Sequence, residues 1–294
     1  MTRRLSWLLV IGALIVLLGS CERASSDAEP PAPAHQARIA ALSPALAIIL
    51  RDLGASDHVV ARHAFDMALE DSLPVAGDQT GIDYETLLRV RPTHIALEWG
   101  SRELPPRLLT LAKDRGWTVR SFPMLTLEEI RRATRELGAI ADASAQAEVM
   151  VRRMDAAWTA SGDLGTRAGR TLTLYSVRPA GAAGPGSFHV QLLQSLGVLS
   201  VPEAGNPFIS LDGEDLRRLD PDTIIVLAPG AEESRLAEFT DPLRTLGLRA
   251  ALSDRVIIDT NPENQTPSTA MVGLAERLRE GLARLELKNV ERTP

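Results

Sequence analysis

The sequence predicts an α/β protein of two similar lobes, each built on a mostly parallel sheet, bridged by a single long helix. Three observations carry that prediction. Glu85-Thr-Leu-Leu-Arg-Val-Arg-Pro-Thr-His-Ile-Ala-Leu97 and Glu214-Asp-Leu-Arg-Arg-Leu-Asp-Pro-Asp-Thr-Ile-Ile-Val-Leu227 place Glu, Leu, Arg, Pro and Ile at the same offsets, 129 residues apart. In both, an amphipathic helix stops before a proline, which cannot continue it, and a short apolar run follows as a buried strand. From residue 38 onward strand and helix patterns alternate, which is how a parallel sheet is written. Between the two halves, Asp142 to Ser161 is a run of 20 residues without Gly or Pro.

In chain order, Ile39 to Leu42 reads as a strand, and Ser43-Pro44 opens a helix with an N-cap and a proline at its first position. That helix ends at Leu53, closed by Gly54. Strands are expected near 58–61, 93–98 and 117–121, with helices near 83–90 and 105–114. Thr126-Leu-Glu-Glu129 is a capping box opening a helix to Gly138. In the 142–161 run, Met150, Met154, Ala157 and Trp158 fall at helical spacing, with Val151 beside them. Such a helix is about 30 Å long, enough to hold two lobes rigidly apart. The second lobe restarts after the glycine-bearing loop 162–169. Strands are expected at 171–177, 222–227 and 255–259, and helices at 187–196, 212–219 and 231–238. Thr266-Pro267 opens a last helix to about Leu287. The domain boundaries read from this pattern are 1–20, 21–37, 38–141, 142–161 and 162–294.

The first 20 residues are a signal peptide. Arg3 and Arg4 precede an apolar core of 14 residues, Leu5 to Leu18, too short to span a membrane. The junction Leu18-Gly19-Ser20-Cys21 resembles a bacterial lipobox, which implies that Cys21 is lipidated and becomes the mature N-terminus. Cys21 is the sole cysteine, so no intramolecular disulfide can form. Residues 22–37 carry three prolines and no apolar period, the composition of a flexible tether. Loss of residues 1–20 removes two arginines and no acid, moving the formal charge from −6 to −8. An acidic chain without a basic run offers nucleic acid no footprint.

The order Arg38-Ile-Ala-Ala-Leu-Ser-Pro44, Leu53-Gly54-Ala55, Glu85 with Pro92, Ala183-Gly-Pro-Gly-Ser-Phe188, and Glu214 with Pro221-Asp222 resembles the substrate-binding proteins of ABC importers for cobalamin, ferric siderophores and haem. The resemblance covers nearly all of residues 38–285. It implies two lobes joined by one long helix, with a bulky metal chelate held in the cleft between them. It also implies delivery to a permease dimer, on whose arginines one glutamate per lobe docks; here those are Glu85 and Glu214.

Candidate ligand-binding residues lie at expected strand ends, because ligands of open α/β sheets bind beyond the strand C-termini. Phe65, Trp99 and Phe208 are aromatics on expected loops, able to stack on a corrin, porphyrin or catecholate. Related cobalamin binders carry cleft aromatics at or near those places, and a further tryptophan where this chain has Gln79. Arg62, Arg102 and Arg178 lie near strand ends and suit anionic groups. Ser187, in Gly184-Pro-Gly-Ser-Phe188, is either part of an anion-facing loop or a plain N-cap. Asp66 and Asn261 complete the set. His63 and His189 are candidate axial ligands to a chelated metal, but an isolated histidine and carboxylate are too few for a protein metal site.

The chain carries neither a Gly-x-Ser-x-Gly elbow nor a His-Glu-x-x-His pair. The expectation is therefore a monomeric, lipid-anchored receptor of the periplasm or cell envelope, without catalysis or cofactor, that hands a metal chelate or corrinoid to an ABC permease. Two alternatives stand beside it: a sensing or scavenging module of the same fold, and a cleft hydrolase using Asp66 or Glu263 as base.

Overall fold

The computed structural model describes residues 36–78, 80–100, 103–160 and 162–286. From Ala37 onward the described residues form one compact unit. The signal peptide with Cys21, nearly all of the tether, and Gln79 and Arg102 lie outside the described residues.

The chain forms the two-sheet α/β architecture expected of it. In the first sheet β1 (Ile39–Leu42) is central, flanked by β2 (Val59–His63) and β3 (Val75–Gly77) on one side and by β4 (His94–Leu97) and β5 (Thr118–Ser121) on the other. Every pairing is parallel. A central parallel strand is buried on both faces, which is why β1 is apolar throughout. Ile39 and Ala41 pack with Leu46 and Ile49, whereas Ala40 and Leu42 pack with Leu87 and Leu108. The helices α1 (Pro44–Asp52), α2 (Tyr84–Val90) and α3 (Pro106–Arg115) supply those partners. Ser43 caps α1 by accepting the Ala45 N–H at 3.1 Å, and Pro44 takes the position where no N–H is needed.

From β5 the chain passes to the second sheet through α4 (Leu127–Ile140) and α5 (Ser144–Ala157), packed against each other. The helix expected over 142–161 therefore has 14 residues, about 21 Å at 1.5 Å each. Asp142, at φ 53°, breaks the path between the two helices. The helix expected to close at Gly138 runs past it. A Cβ there would lie 2.5 Å from the Ala147 Cβ, so Gly138 serves the close approach of α4 to α5. The capping box at Thr126 and Glu129 is formed as the sequence indicates.

The second sheet follows α6 (Leu164–Ala168). Its central strand β6 (Arg170–Val177) is flanked on one side by β10 (Thr223–Leu227) and β11 (Val256–Asp259), both parallel. On the other side β8 (Leu199–Val201) pairs in parallel with the first half of β6. The antiparallel strands β7 (Ala180–Ala183) and β9 (Phe208–Leu211) extend the sheet from its second half. The remaining helices are α7 (Phe188–Ser195), α8 (Gly213–Leu219), α9 (Ala237–Thr245), α10 (Arg249–Leu252) and α11 (Met271–Ala283). The helix expected over 231–238 is instead a 3₁₀ turn followed by α9. The last helix begins at Met271 because Thr266 to Thr269 turn toward the first lobe, where the Thr269 hydroxyl donates to Asp52 Oδ2 at 2.5 Å.

The internal repeat is a structural unit. Asp83 accepts the N–H groups of Glu85 and Thr86, and Asp212 those of Glu214 and Asp215. Each of the two seven-residue helices ends in a left-handed residue, Arg91 at φ 48° and Asp220 at φ 34°. The strand after each, β4 or β10, lies beside the central strand of its own sheet.

One apolar core continues from the first sheet to the second. It runs from Ile39 and Leu46 through Ile130, Met154 and Trp158 to Leu192, Leu227 and Leu274. Separate clusters cover the outer face of each sheet.

Candidate functional site

Each lobe places a cavity at the C-terminal ends of its strands, where the open edge of a parallel sheet leaves a crevice. In the first lobe a cavity of about 310 Å³ is lined by Leu42, His63, Asp78, Thr80, Glu98 and Trp99, among others. Each lining side chain sits there because a strand ends beside it. Glu98 and Trp99 directly follow β4, His63 ends β2, and Asp78 follows β3. Glu98 Oε2 accepts the Ser43 hydroxyl at 2.9 Å. The Glu98 carboxylate is open at the cavity mouth, yet the surrounding protein strips enough water to raise its pKa. The Trp99 indole N–H donates to the Glu103 carbonyl at 2.9 Å, fixing the ring at the rim. His63 Nδ1 accepts the Phe65 N–H at 3.1 Å, and burial lowers the pKa of the ring, so His63 is neutral. The Phe65 ring, 58% exposed, lies 5.6 Å from the His63 ring.

The second lobe holds a larger cavity, about 730 Å³, lined by Tyr175, Arg178, Pro229, Gly230, Phe239 and neighbouring residues. Phe208, 60% exposed, stacks on Tyr175 with centroids 5.9 Å apart and planes 16° from parallel. A Cβ at Gly181 would meet the Phe208 ring at 3.0 Å, so the glycine lets the ring lie against the sheet. The aromatic expected on a loop is therefore the first residue of β9. Below it, the Tyr175 hydroxyl bonds His189 Nδ1 at 2.8 Å, and His189 Nε2 bonds the Asn264 carbonyl at 2.8 Å. Since a carbonyl only accepts, Nε2 carries the proton and Nδ1 accepts from the tyrosine. Burial drives His189 down to about 4 and Tyr175 up to about 12. With both nitrogens engaged and 3% exposure, His189 has no lone pair to offer a chelated metal, which corrects the reading of it as an axial ligand.

Several candidates from the sequence stand apart from these cavities. Asp66 is 4% exposed and its carboxylate accepts the N–H groups of Ala68 and Leu69 at 3.0 and 3.2 Å, tying down the β2–β3 loop. Arg62 is buried in the same loop, donating to the Asp66 carbonyl and to Asp71. Ser187 is the N-cap of α7, its hydroxyl accepting the Val190 N–H at 3.3 Å. In that loop the Gly184 and Ser187 N–H groups bond the Pro207 and Gly184 carbonyls. The geometry is that of a cap. Asn261 lines a third depression, with Asp52, Met150 and Arg153, at the seam between the lobes and at the opposite end of α1 from Ser43. Glu263 on that loop is clasped by Arg51 through two hydrogen bonds, one of 3.1 Å to Oε2. Both carboxylates read as possible hydrolytic bases are thus engaged. Glu85 and Glu214 are exposed in the first turns of α2 and α8.

Sequence reasoning missed Glu98, Asp78 and Tyr175. A signal existed for Glu98, a charged residue directly after an apolar strand and beside Trp99. Tyr175 lies within an apolar strand run, where side-chain direction has no signature of its own.

A two-lobed α/β protein with a cavity at the strand ends of each lobe has the form of an extracytoplasmic binding protein. The family model for periplasmic binding proteins matches residues 39–262, and the chain belongs to that family. No curated protein matches it. Among solved structures it is similar to the periplasmic vitamin B12 binding protein BtuF of Vibrio cholerae, with 19% identity and TM-score 0.66, over 84% of this chain and 97% of that one. The periplasmic heme binding protein HutB of Vibrio cholerae gives 17% and 0.66, over 84% and 98%. A protein of an ABC-type Fe3+-hydroxamate transport system from Saccharomonospora viridis gives 20% and 0.63, over 84% and 93%. At such identities the likeness concerns the fold.

Proposed function

We propose that the protein is a lipid-anchored substrate-binding receptor of an ABC importer, which captures a metal chelate or corrinoid between its lobes and presents it to the permease. The family places the protein in the periplasm or cell envelope. The observation that carries the finer reading is the pair of strand-end cavities with aromatic rings at their margins: Trp99 and Phe65 on one lobe, Phe208 over Tyr175 on the other. Flat, partly exposed rings suit a large flat ligand such as a macrocycle or an aromatic chelate. The solved structures similar to it include a vitamin B12 binding protein, a heme binding protein and a protein of an Fe3+-hydroxamate transport system.

In this reading Phe65, Trp99 and Phe208 stack on the ligand, Arg178 meets an acceptor group at the second cavity, and Gln79 and Arg102 are further ligand-binding residues. Asp66, Ser187 and Asn261 contribute through the loops they shape. Glu85 and Glu214 dock on the permease, and the lipid on Cys21 supplies the membrane attachment. Among the described residues, no helix is long and apolar enough to cross a membrane. No reaction is catalysed.

All three ligand classes are coloured. Protein purified from its native host is expected to show a corrinoid, haem or ferric-chelate absorbance band. Stripped protein is expected to bind at least one of cyanocobalamin, haem and a ferric hydroxamate with quenching of tryptophan fluorescence. A colourless preparation that binds none of them overturns the proposal.

A further inference from the structure

Charge on the first-lobe wall narrows the ligand class, given the receptor function proposed above. Between His63 and Leu88 the chain carries Asp66, Glu70, Asp71, Asp78, Asp83 and Glu85 and not one Lys or Arg. That stretch builds the loops at the ends of β2 and β3; of its carboxylates Asp78 lines the cavity, whereas Asp66 turns into its own loop, Asp71 pairs with Arg62 and Asp83 caps α2. Inside the cavity Glu98 and Asp78 are the two charged groups among the described lining residues. Glu98 takes one hydrogen bond, from the Ser43 hydroxyl. Asp78 takes its bonds through Oδ1, from Thr80 and Gly81. Among the described residues no cation pairs with either. His63, on the strand between them, accepts the Phe65 N–H through Nδ1, and burial lowers its pKa.

A crevice lined by one sign of charge focuses its field and repels like charge. We propose that the first-lobe cavity selects a chelate without net negative charge, which presents a cationic or hydrogen-bond-donating group to Glu98 and Asp78. The amide fringe of a corrinoid or the free amine of a ferric trihydroxamate meets that requirement. The charge of a ferric tricatecholate and the two propionates of haem oppose it. On the second lobe Arg178, exposed at its cavity and without an ion-pair partner among the described residues, remains for a single acceptor group at the far end of the same ligand.

The test titrates full-length mature protein with four probes: a monocationic ferric trihydroxamate bearing a free amine, cyanocobalamin, haem, and a trianionic ferric tricatecholate. Wild type is compared with Glu98→Gln and with Glu98→Gln/Asp78→Asn, folding being checked by far-UV circular dichroism. The cationic or neutral probes are expected to bind at least about tenfold more tightly than the tricatecholate, and the double variant to lose about tenfold of that preference. In wild type the preference is also expected to shrink as salt rises. Three results overturn the inference: a tricatecholate bound as tightly as the cationic probe, a preference unchanged in the folded double variant, or, should that variant not fold, a preference indifferent to salt. Failure of all four probes to bind overturns the receptor proposal itself, and the inference with it.

Discussion

At Tyr175 and His189 a single proton assignment fixes what the residue can do. The Asn264 carbonyl obliges His189 to carry its proton on Nε2, and the tyrosine hydroxyl fills Nδ1, so the ring holds the floor beneath Phe208 and leaves stacking to the residues above. A histidine depressed from 6.5 to about 4 binds a proton more readily in the unfolded chain. Stability is therefore full above pH 6.5 and falls as pH drops toward 4, by up to about 3 kcal/mol at 1.36 kcal/mol per unit. In urea titrations across that window, His189→Gln is expected to show a shallower loss than wild type; parallel slopes would refute the assignment. The ligand side is tested at Trp99 and Phe208. Truncating either to Ala is expected to weaken binding about 5- to 150-fold, by analogy with the ~1–3 kcal/mol of base stacking. Wild-type affinity in both variants would remove them from the site. The positions of Phe65, Trp99 and Arg178 just past strand ends were legible because aromatics and cations there stand out from a half-apolar pattern; Phe208 opens a strand instead, and binding by any of them is what such variants test. Asp66 and Asn261 were named on equal grounds and both accept N–H groups of their own loops, Asp66 buried and Asn261 beside the seam depression, because a short polar side chain in a loop bonds its own backbone as readily as a ligand.

Among the elements, the repeat was the most legible feature, since a helix stopped by proline ahead of an apolar run is a statement about backbone geometry and survives changes of side chain. The antiparallel β7–β9 extension was not legible: Ala180-Gly-Ala-Ala183 has no alternation and no β-branched residue, and although β7 folds back on β6, its outer partner β9 lies more than 20 residues on. The repeat also separates two roles that share a helix start. Asp83 and Asp212 cap their helices by accepting two N–H groups each, so the caps do not depend on Glu85 or Glu214. Reversing both glutamates to Lys therefore costs the helices only about 0.3–1 kcal/mol each from the dipole. If these two exposed carboxylates meet permease arginines, the same reversal is expected to abolish uptake while ligand affinity and the melting temperature stay near wild type. Normal uptake at normal expression would rule out the docking role. Lost ligand affinity in a folded double variant would move the pair into the binding site.

At the scale of the molecule the Cys21 prediction is simple: label from a tagged fatty acid is expected in wild type and not in Cys21→Ser, and equal labelling would refute lipidation. The lobes themselves raise a richer question: whether two sheets joined by a helix pair unfold as one body or two. The core argues otherwise, running unbroken from Ile39 through α4 and α5 to Leu282. Arg51 and Glu263 add a two-bond ion pair across the seam that raises the affinity of Arg51 for its proton, and Asp52 accepts the Thr269 hydroxyl beside it. Arg51 is 34% and Glu263 23% exposed, so water screens the pair and its share is on the order of 1 kcal/mol. Most of the coupling must then come from the shared apolar core. Trp99 and Trp117 belong to the first lobe and Trp158 caps the C-terminus of α5, so tryptophan fluorescence follows the first lobe and the bridge, while far-UV circular dichroism follows both sheets. The two signals are expected to trace one coincident urea transition in wild type. Because the ion pair is the smaller term, Glu263→Ala is expected to move that transition to lower urea without splitting it. Separate midpoints in wild type would show that the lobes unfold independently, and a split only in Glu263→Ala would show that the ion pair, and not the core, couples them.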